Sequence, residues 1–526
     1  MEMDTQPVRL FLAITSLILA SGLSTAKAQS PPYASAAPTQ GQSAIDYLTA
    51  VDSLSAASIR EALLTVWQHG LNPSVYWNDE LEQSFLRGTL DADFDRRQIL
   101  AVYVKALRDV YSGSVNPVGL ASDIKVKKKD FLTAEQVRLV VLTSQSDAKL
   151  ALDKMAPQFS VYQSLKMALE RLYPLLETGL WENITPAKKP LSLGKKDPVI
   201  IKLKERLRQL GYRIDSMNDT FDQDMLIAIN DIQLNLKMKP DGVISPGGRT
   251  WRFFSVSLLD RLSQLQADME QLRWFPQNLE DRHIFVNTAF SHFMMTDKKN
   301  NISMSFKAIN GTAERKTPTL RDRITYLVMN PTWTIPPTVF LNDKVEILKK
   351  LDTKGIRKYF TDNRFEVYTA DFSRTIDPTS IDWKSIKSSS VNFYIRQKPS
   401  YNNALGVVKF MMTNPYAIYL HDTNQRDLFG EAQRLRSSGC VRLEKPLDLA
   451  EYLLAGTQWS RPQIENFVVK EGQLVDKETR VDLKEPMPVY LVPVTSQMNS
   501  DGVIRFVEDV YGHNQLILSQ VKGLGR

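Results

Sequence analysis

Cys440 is the one cysteine in a chain of 526 residues, and it lies in the segment Ser-Ser-Gly-Cys-Val-Arg at 437–442. A single thiol cannot form an internal disulfide, so this cysteine is a partner-linking thiol, a reactive thiol or an inert buried one. His421 stands nineteen positions earlier, directly after the apolar run 417–420. A cysteine nucleophile and a nearby histidine base are the fewest residues that can catalyse acyl transfer through a thioester.

The neighbours of Cys440 suit this chemistry. A free thiol has a pKa of about 8.5 and needs help to act as a nucleophile at neutral pH. His421 could take the thiol proton and later return it, as general base and proton donor. Gly439 lets the backbone bend sharply, so that nearby amides could face a developing oxyanion, and Arg442 adds positive charge.

The other histidines lack the spacing of metal ligands, and we interpret each of them as structural or exposed. They are His69, His283, His292 and His513. The sequence therefore predicts a site with no metal and no cofactor.

Length and composition predict a globular protein of two to four domains, with 43% hydrophobic and 24% charged residues. The net charge of +7 is mildly basic, which could favour an anionic polymer such as cell wall, membrane surface or nucleic acid. No basic motif is interleaved with aromatic residues, so we do not expect nucleic acid as a partner.

The N-terminus resembles an export signal. Arg9 precedes the apolar stretch 10–23, and Ala-Lys-Ala follows at 26–28, which predicts a signal peptide over 1–28. Glu2 and Asp4 are unusual there, and an uncleaved anchor is the alternative. No later stretch has about 18 consecutive apolar residues, so no membrane span is expected after cleavage.

The apolar spacing changes along the chain. Residues 29–43 are rich in Pro, Ser and Ala and predict a flexible linker. A helical period then runs over 44–192, where we expect a helical scaffold domain. Residues 255–280 predict a connecting helix.

A small helical unit is expected over 193–254. Its first helix ends near Gly211, and a second helix carries Gln233 before the turn Asp-Gly-Val-Ile at 241–244. These features resemble the peptidoglycan-binding type 1 repeat. Ser245 departs from that pattern, because a glycine usually follows the turn, and a purely structural role is the alternative.

The spacing of apolar residues becomes typical of β-strands over 281–498, where we expect a mostly β domain. A charged stretch over 336–398 predicts an insertion on this domain, with one helix over 342–354. Residues 499–526 are interpreted as a C-terminal tail. The fold class predicted for the whole chain is multidomain α+β.

The catalytic segments resemble a known family. His-Asp-Thr at 421–423 with the segment 437–442 looks like the signature of the YkuD-type L,D-transpeptidase domain, and in particular of its large periplasmic YcbB-like subgroup. Supporting segments stand in matching order at 330–337, 396–399 and 403–406. Ser438 occupies the place where many family members have a second histidine, which leaves His421 as the base.

The resemblance implies a specific reaction. Cys440 would attack the L-centre of diaminopimelate in a tetrapeptide stem and release D-alanine, and a second stem's side-chain amine would capture the thioester as a 3-3 crosslink. The insertion would act as a cap over the substrate. The substrate-side residues would be Arg442, Ser438, Tyr416 and Trp333, although Trp333 would equally suit a core position.

The resemblance also implies a setting. Peptidoglycan stem peptides would be the substrate, carbapenems would acylate the cysteine, and the protein would work in the periplasm beside the cell wall. Penicillin-binding proteins or glycosyltransferases are candidate partners.

Other functions are compatible with the same residues. Water as the acceptor would make the protein an L,D-carboxypeptidase or hydrolase, and a protein lysine would make it a lipoprotein-attaching transpeptidase. A non-enzymatic wall-binding scaffold is the alternative from a different class, against which Cys440, His421 and Gly439 argue.

Overall fold

The structure is a computed structural model that describes residues 43–90, 93–387 and 391–524. The predicted signal peptide over 1–28, and the linker over 29–43 apart from its last residue, lie outside the described residues. In the part of the chain that is described, no helix is long and apolar enough to cross a bilayer.

The N-terminal part is helical. Several of its helices begin at a side chain that accepts a hydrogen bond of the first turn, as Thr133 does from the backbone of Gln136. Their apolar sides meet in one core around Leu63, Tyr103 and Leu165. The helices are α1 (Ala44–Val51), α2 (Ala56–Leu64), α3 (Asp79–Leu86), α4 (Asp93–Ser112), α5 (Ala134–Thr143), α6 (Ala148–Met155), α7 (Ser160–Leu172) and α8 (Leu175–Thr178).

Three helices form the unit predicted over 193–254. The buried Gln233 amide fastens its turn, since the side-chain oxygen accepts from the N–H groups of Asp241 and Gly242 at 2.9 and 3.0 Å. Gly242 has φ +66°, and a Cβ there would lie 2.2 Å from Leu226. This accounts for the Gln and Asp-Gly pattern in the sequence. The helices are α9 (Val199–Gln209), α10 (Gln223–Asn235) and α11 (Arg249–Phe254).

The next helix, α12 (Leu258–Arg273), packs into the same core as the helical region, although the sequence suggested a connecting helix. It is buried on most of its sides, and buried polar side chains such as Gln266 and Gln271 donate to internal partners. Glu270 and Arg273 form a fully buried ion pair at 2.8 Å, and Asp268 accepts from the N–H of Thr495 at 2.9 Å. The Asp268–Thr495 bond joins α12 to the end of the predicted β domain, and the Glu270–Arg273 pair lies within α12 itself.

A nine-stranded sheet follows, in the order β11-β3-β12-β10-β9-β4-β13-β1-β2. Its long strand β3 pairs β2 through its first half and β12 through its second half, so the sheet closes on itself. The strands are β1 (Arg282–Asn287), β2 (His292–Asp297), β3 (Ile302–Gly311), β4 (Leu320–Met329), β9 (Val408–Met412), β10 (Leu420–His421), β11 (Leu435–Ser437), β12 (Val441–Leu443) and β13 (Thr479–Val492). The core inside it contains Phe293, Phe410 and Val489.

The stretch predicted as an insertion builds a second sheet, with the order β5-β8-β6-β7 and its own core around Phe340 and Trp383. We call this sheet and its helices the cap. The predicted single helix over 342–354 is wrong, because the Asp352 carboxylate accepts from Gly355 N at 2.7 Å and starts a new helix. The elements are β5 (Trp333–Thr334), α13 (Pro337–Val339), α14 (Val345–Leu348), α15 (Thr353–Asp362), β6 (Phe365–Thr369), β7 (Thr375–Ile376) and β8 (Phe393–Gln397).

Two helices, α16 (Pro446–Leu453) and α17 (Arg461–Phe467), pack on the closed sheet. The segment beyond the β domain, interpreted as a tail, is folded and packed. It contains β15 (Ile504–Phe506) and α18 (His513–Leu518), and β15 pairs with β14 (Ser496–Met498) at the end of the predicted β domain. We call residues 499–524 the C-terminal segment.

Candidate active site

Two neighbouring parallel strands bring the cysteine and the histidine together. In the pairing of β10 with β12, Leu420 lies opposite Val441, and His421 lies opposite Arg442. Leu420 and Val441 are fully buried in the sheet core. Because side chains alternate along a strand, His421, Arg442 and the preceding Cys440 lie on the other face.

That face opens into a cavity of about 520 Å³. The closed sheet supplies one side of it, and the cap supplies the other through Trp333, Val339 and Asp343. An ion pair of 2.7 Å between Arg315 and Asp343 ties the cap to the β3–β4 turn. The structure places six of the seven predicted site residues on the wall of this cavity, namely Cys440, His421, Arg442, Ser438, Tyr416 and Trp333.

The His421 ring is buried and held in one tautomer. Its Nδ1 lies within hydrogen-bond distance of the Asp422 carbonyl, which can only accept, so Nδ1 carries the proton and Nε2 is left as the base. Burial, with the positive charges of Arg442 and Lys409, lowers the pKa of His421 to about 3. The imidazole is therefore neutral at physiological pH, and its Nε2 is unprotonated.

The Cys440 thiol is half-buried and protonated at rest. Burial raises its pKa to about 11, against the smaller effects of the Tyr419 N–H and hydroxyl and of Arg442, which favour the thiolate. Its Sγ lies 3.5 Å from the Ala417 carbonyl oxygen. The resting pair is thus a neutral thiol and a neutral imidazole, so the proton must move as the sulfur attacks.

The backbone beside the thiol offers one hydrogen-bond donor to a reaction centre. Gly439 has φ +117°, and an added Cβ would lie 3.3 Å from Ile418 and 3.4 Å from Lys316 O. Its own N–H donates to Ser437 Oγ at 3.2 Å. Among the described residues the Cys440 N–H has no acceptor. Gly439 is therefore placed to act through its conformation, and the N–H of Cys440 is the candidate donor to an oxyanion.

Arg442 is the strongest candidate for binding a carboxylate. Its Nη1 donates to Gln425 Oε1 at 2.7 Å, while its buried Nε has no partner among the described residues. An unpaired buried guanidinium N–H is costly unless a ligand satisfies it. Burial also lowers the pKa of Arg442.

The other substrate-side candidates differ in exposure. Tyr416 is 44% exposed, and the ammonium of Lys125, from the helical region, lies 4.7 Å from its ring centroid. Ser438 is exposed on the cavity wall, and Trp333 is half-buried against the cap core. Trp333 thus both packs and lines the cavity.

Sequence reasoning missed Tyr419. Its ring centroid lies 5.6 Å from that of His421, and its N–H and hydroxyl both favour the thiolate of Cys440. The alternation of side chains along the apolar run before His421 is a signal that could have found it. In the part of the chain that is described, no three His, Cys, Asp or Glu side chains are grouped as metal ligands.

Comparison with known families agrees with this geometry. Residues 281–468 match the family model of the L,D-transpeptidase catalytic domain (YkuD), and residues 50–169 match that of a scaffold domain. The predicted mixed fold, with a β-rich catalytic domain and an N-terminal helical scaffold, is confirmed.

Two individual proteins are similar to parts of this chain. A curated protein of Haemophilus influenzae, provisionally described as an L,D-transpeptidase, is 31% identical over 256 residues. The match covers 48% of this chain, and it spans about half of the relative, 48% of its length. A crystal structure of an L,D-transpeptidase from Xylanimonas cellulosilytica aligns over 58% of this chain and 99% of its own, at 12% identity. Its TM-score of 0.16 is too low to support an argument.

Proposed function

We propose, from the YkuD L,D-transpeptidase catalytic domain that residues 281–468 carry, that this protein joins peptidoglycan stem peptides by 3-3 crosslinks. The observation that carries the proposal is the shared cavity of Cys440 and His421. A neutral imidazole, whose Nε2 has no partner among the described residues, lines the same cavity as a thiol that burial keeps protonated. Such a pair suits acyl transfer with the histidine as general base.

The first half-reaction begins when a tetrapeptide stem enters the cavity. Cys440 Sγ attacks the carbonyl of the diaminopimelate L-centre while His421 Nε2 takes the thiol proton. The Cys440 N–H faces the resulting oxyanion. The carbon–nitrogen bond then breaks, His421 returns the proton to the amine of D-alanine, and a thioester remains on the sulfur.

In the second half-reaction His421 acts again as the base, and the proton returns to the sulfur at the end. The side-chain amine of a second stem attacks the thioester carbonyl, and His421 takes a proton from that amine. The carbon–sulfur bond breaks, and the thiol regains its proton as the new amide forms. No external energy source is needed, because the thioester conserves the reactivity of the cleaved amide.

The cap gives a reason to prefer an amine over water as the acceptor. Trp333, Val339 and Asp343 close one side of the cavity, and a closed site reduces the access of bulk water to the thioester. The guanidinium of Arg442, which lines the cavity, would receive a carboxylate of the donor stem. The peptide with its carboxylates would thus be fixed before the acceptor arrives.

The acceptor can be tested with purified protein and disaccharide-tetrapeptide. We expect a tetrapeptide–tripeptide dimer with one D-alanine released per crosslink, measured by mass spectrometry. Disaccharide-tetrapeptide in which every diaminopimelate side-chain amine is acetylated is the control and should give no dimer. Release of D-alanine without dimer would replace this proposal by an L,D-carboxypeptidase.

We also propose that the unit over 193–254 contributes to wall binding in the periplasm. A cleft of about 860 Å³ at its entrance is lined by Lys188, Lys189, Lys195, Lys196 and Lys202. Of these, Lys202 pairs with Glu182, and the others form no ion pair within the described residues. Stem peptides carry carboxylates, which this positive cleft would attract.

Reversing two charges tests the wall-binding role. The double variant Lys195→Glu, Lys196→Glu should sediment several-fold less with isolated peptidoglycan sacculi at low salt. The variant Lys127→Glu, Lys299→Glu changes the net charge equally at exposed positions outside the cleft and is the control. Equal losses in both would mean that only overall charge matters.

A further inference from the structure

The C-terminal segment contacts the turn over 311–317, which is hydrogen-bonded to Gly439. Tyr511 is buried, and its hydroxyl donates to the carbonyl of Gly311 at 2.9 Å. The same hydroxyl accepts from the N–H of Thr317 at 3.2 Å. Burial raises the pKa of Tyr511 to about 12, so the hydroxyl keeps the proton that it donates. Tyr511 thus bridges the two ends of the turn over 311–317.

Thr317 links this turn to the active site through a hydrogen bond to Gly439. Its hydroxyl, fully buried, donates to the carbonyl oxygen of Gly439 at 2.7 Å. It also accepts from the N–H of Gly311 at 2.9 Å. A hydroxyl has one proton to donate, and the Gly311 contact occupies an acceptor position, so that proton is directed at Gly439.

The bond to Gly439 controls where the Cys440 N–H points. A peptide group is planar, with its oxygen and its hydrogen on opposite sides, so fixing the Gly439 oxygen also fixes the Cys440 N–H. Glycine by itself would allow this peptide to rotate, because it restricts its own backbone least. The support must therefore come from another residue, and Thr317 supplies it.

A second set of contacts fixes the same turn to the segment. Lys316 Nζ donates to the Tyr511 carbonyl at 2.6 Å and lies 3.7 Å from a carboxylate oxygen of Asp123. The other oxygen of Asp123 lies 2.7 Å from Nε2 of the buried His513. The Asp123 carbonyl in turn accepts from the N–H of Thr319 at 2.9 Å. The C-terminal segment and the helical region thus hold the turn from two sides.

We propose that Tyr511 and Thr317 are positioning residues that hold the Gly439–Cys440 peptide with its N–H directed at the oxyanion. The inference rests on the proposed function, since it needs Cys440 as the acylated nucleophile. It assigns a role in catalysis to the C-terminal segment, none of whose described residues lines the cavity.

Two reactions of the same sulfur separate this role from simple packing. Acylation by 4-nitrophenyl acetate forms a carbon–sulfur bond through an oxyanion and expels nitrophenolate. Alkylation by iodoacetamide forms a carbon–sulfur bond and expels iodide, and no oxyanion arises. Since Cys440 is the one thiol in the chain, both adducts can be followed by intact mass, with Cys440→Ala as the background.

We expect Thr317→Val to slow acylation about tenfold and Tyr511→Phe about threefold, because a misdirected donor loses part of the stabilisation that an oxyanion donor provides. Alkylation should keep its wild-type rate in both variants. Thr317→Ser retains the hydroxyl and should restore acylation. The control Tyr452→Phe removes a hydroxyl bonded to Asp297 at 2.6 Å, and it should change neither rate.

Three results would overturn the proposal. Equal slowing of acylation and alkylation would indicate a structural role, and unchanged acylation in Thr317→Val would mean that the hydroxyl does not position the peptide. Failure of Thr317→Ser to recover would point to packing. If wild-type Cys440 takes up neither reagent, the nucleophile of the proposed function is itself wrong, which the wild-type arm reveals before any variant is compared.

Discussion

Cys440→Ser should lower the rate of D-alanine release from a tetrapeptide by about 10⁴-fold or more, since removal of the nucleophile removes the covalent route. Serine keeps the size of the side chain, so the cavity beside His421 and Arg442 should stay intact. A hydroxyl is far less acidic than a thiol. His421, whose pKa is lowered to about 3, is too weak a base to activate it.

The measurement is the initial rate of D-alanine release, with the thermal unfolding midpoint recorded for the same samples. An unchanged midpoint shows that the loss is chemical. A residual rate above about one hundredth of wild type would mean that another group forms the covalent bond or that water attacks directly.

His421→Gln should lower the rate of the first half-reaction by about 10³-fold at neutral pH. Glutamine can still donate to the Asp422 carbonyl, but it cannot take a proton from the thiol. Because burial raises the pKa of Cys440 to about 11, the thiol does not ionise by itself in this range. The variant therefore loses the base without a substitute.

The pH dependence distinguishes a lost base from a disturbed cavity. In wild type the rate should stay level from about pH 5 to 8, because His421 remains neutral down to about pH 3. In His421→Gln the rate should rise about tenfold per pH unit from pH 7 to 10, as hydroxide replaces the base and the thiolate fraction grows. A variant rate that stays flat with pH would contradict the role of His421 as general base.

The chemistry-bearing residues were predictable because their types are rare and their spacing is distinctive. Cys440 has no competitor in the chain, and the His421 segment follows a short apolar run. The sequence could not supply their arrangement. That depends on a parallel pairing of two very short strands, Leu420–His421 and Val441–Leu443, across the loop between them. Local periodicity carries no information about such a pairing.

The structure of the C-terminal segment could not be predicted from local periodicity either. Its strand Ile504–Phe506 and helix His513–Leu518 are too short to give a clear periodic signal, so the sequence suggested a tail. Their stability comes from packing and from bonds such as Tyr511 to Gly311, which are distant in sequence. In the cap, by contrast, the helix break was readable, because Asp352 followed by Thr353 is a helix start signal.

The most direct test is the mass of the protein after brief mixing with a tetrapeptide stem whose diaminopimelate side-chain amine is acetylated, so that no stem can act as acceptor. We expect a covalent adduct equal in mass to the stem minus D-alanine, located on Cys440 by peptide mapping and released by hydroxylamine as a thioester is. An adduct on any other residue, or D-alanine release with no adduct in wild type at any mixing time, would contradict it.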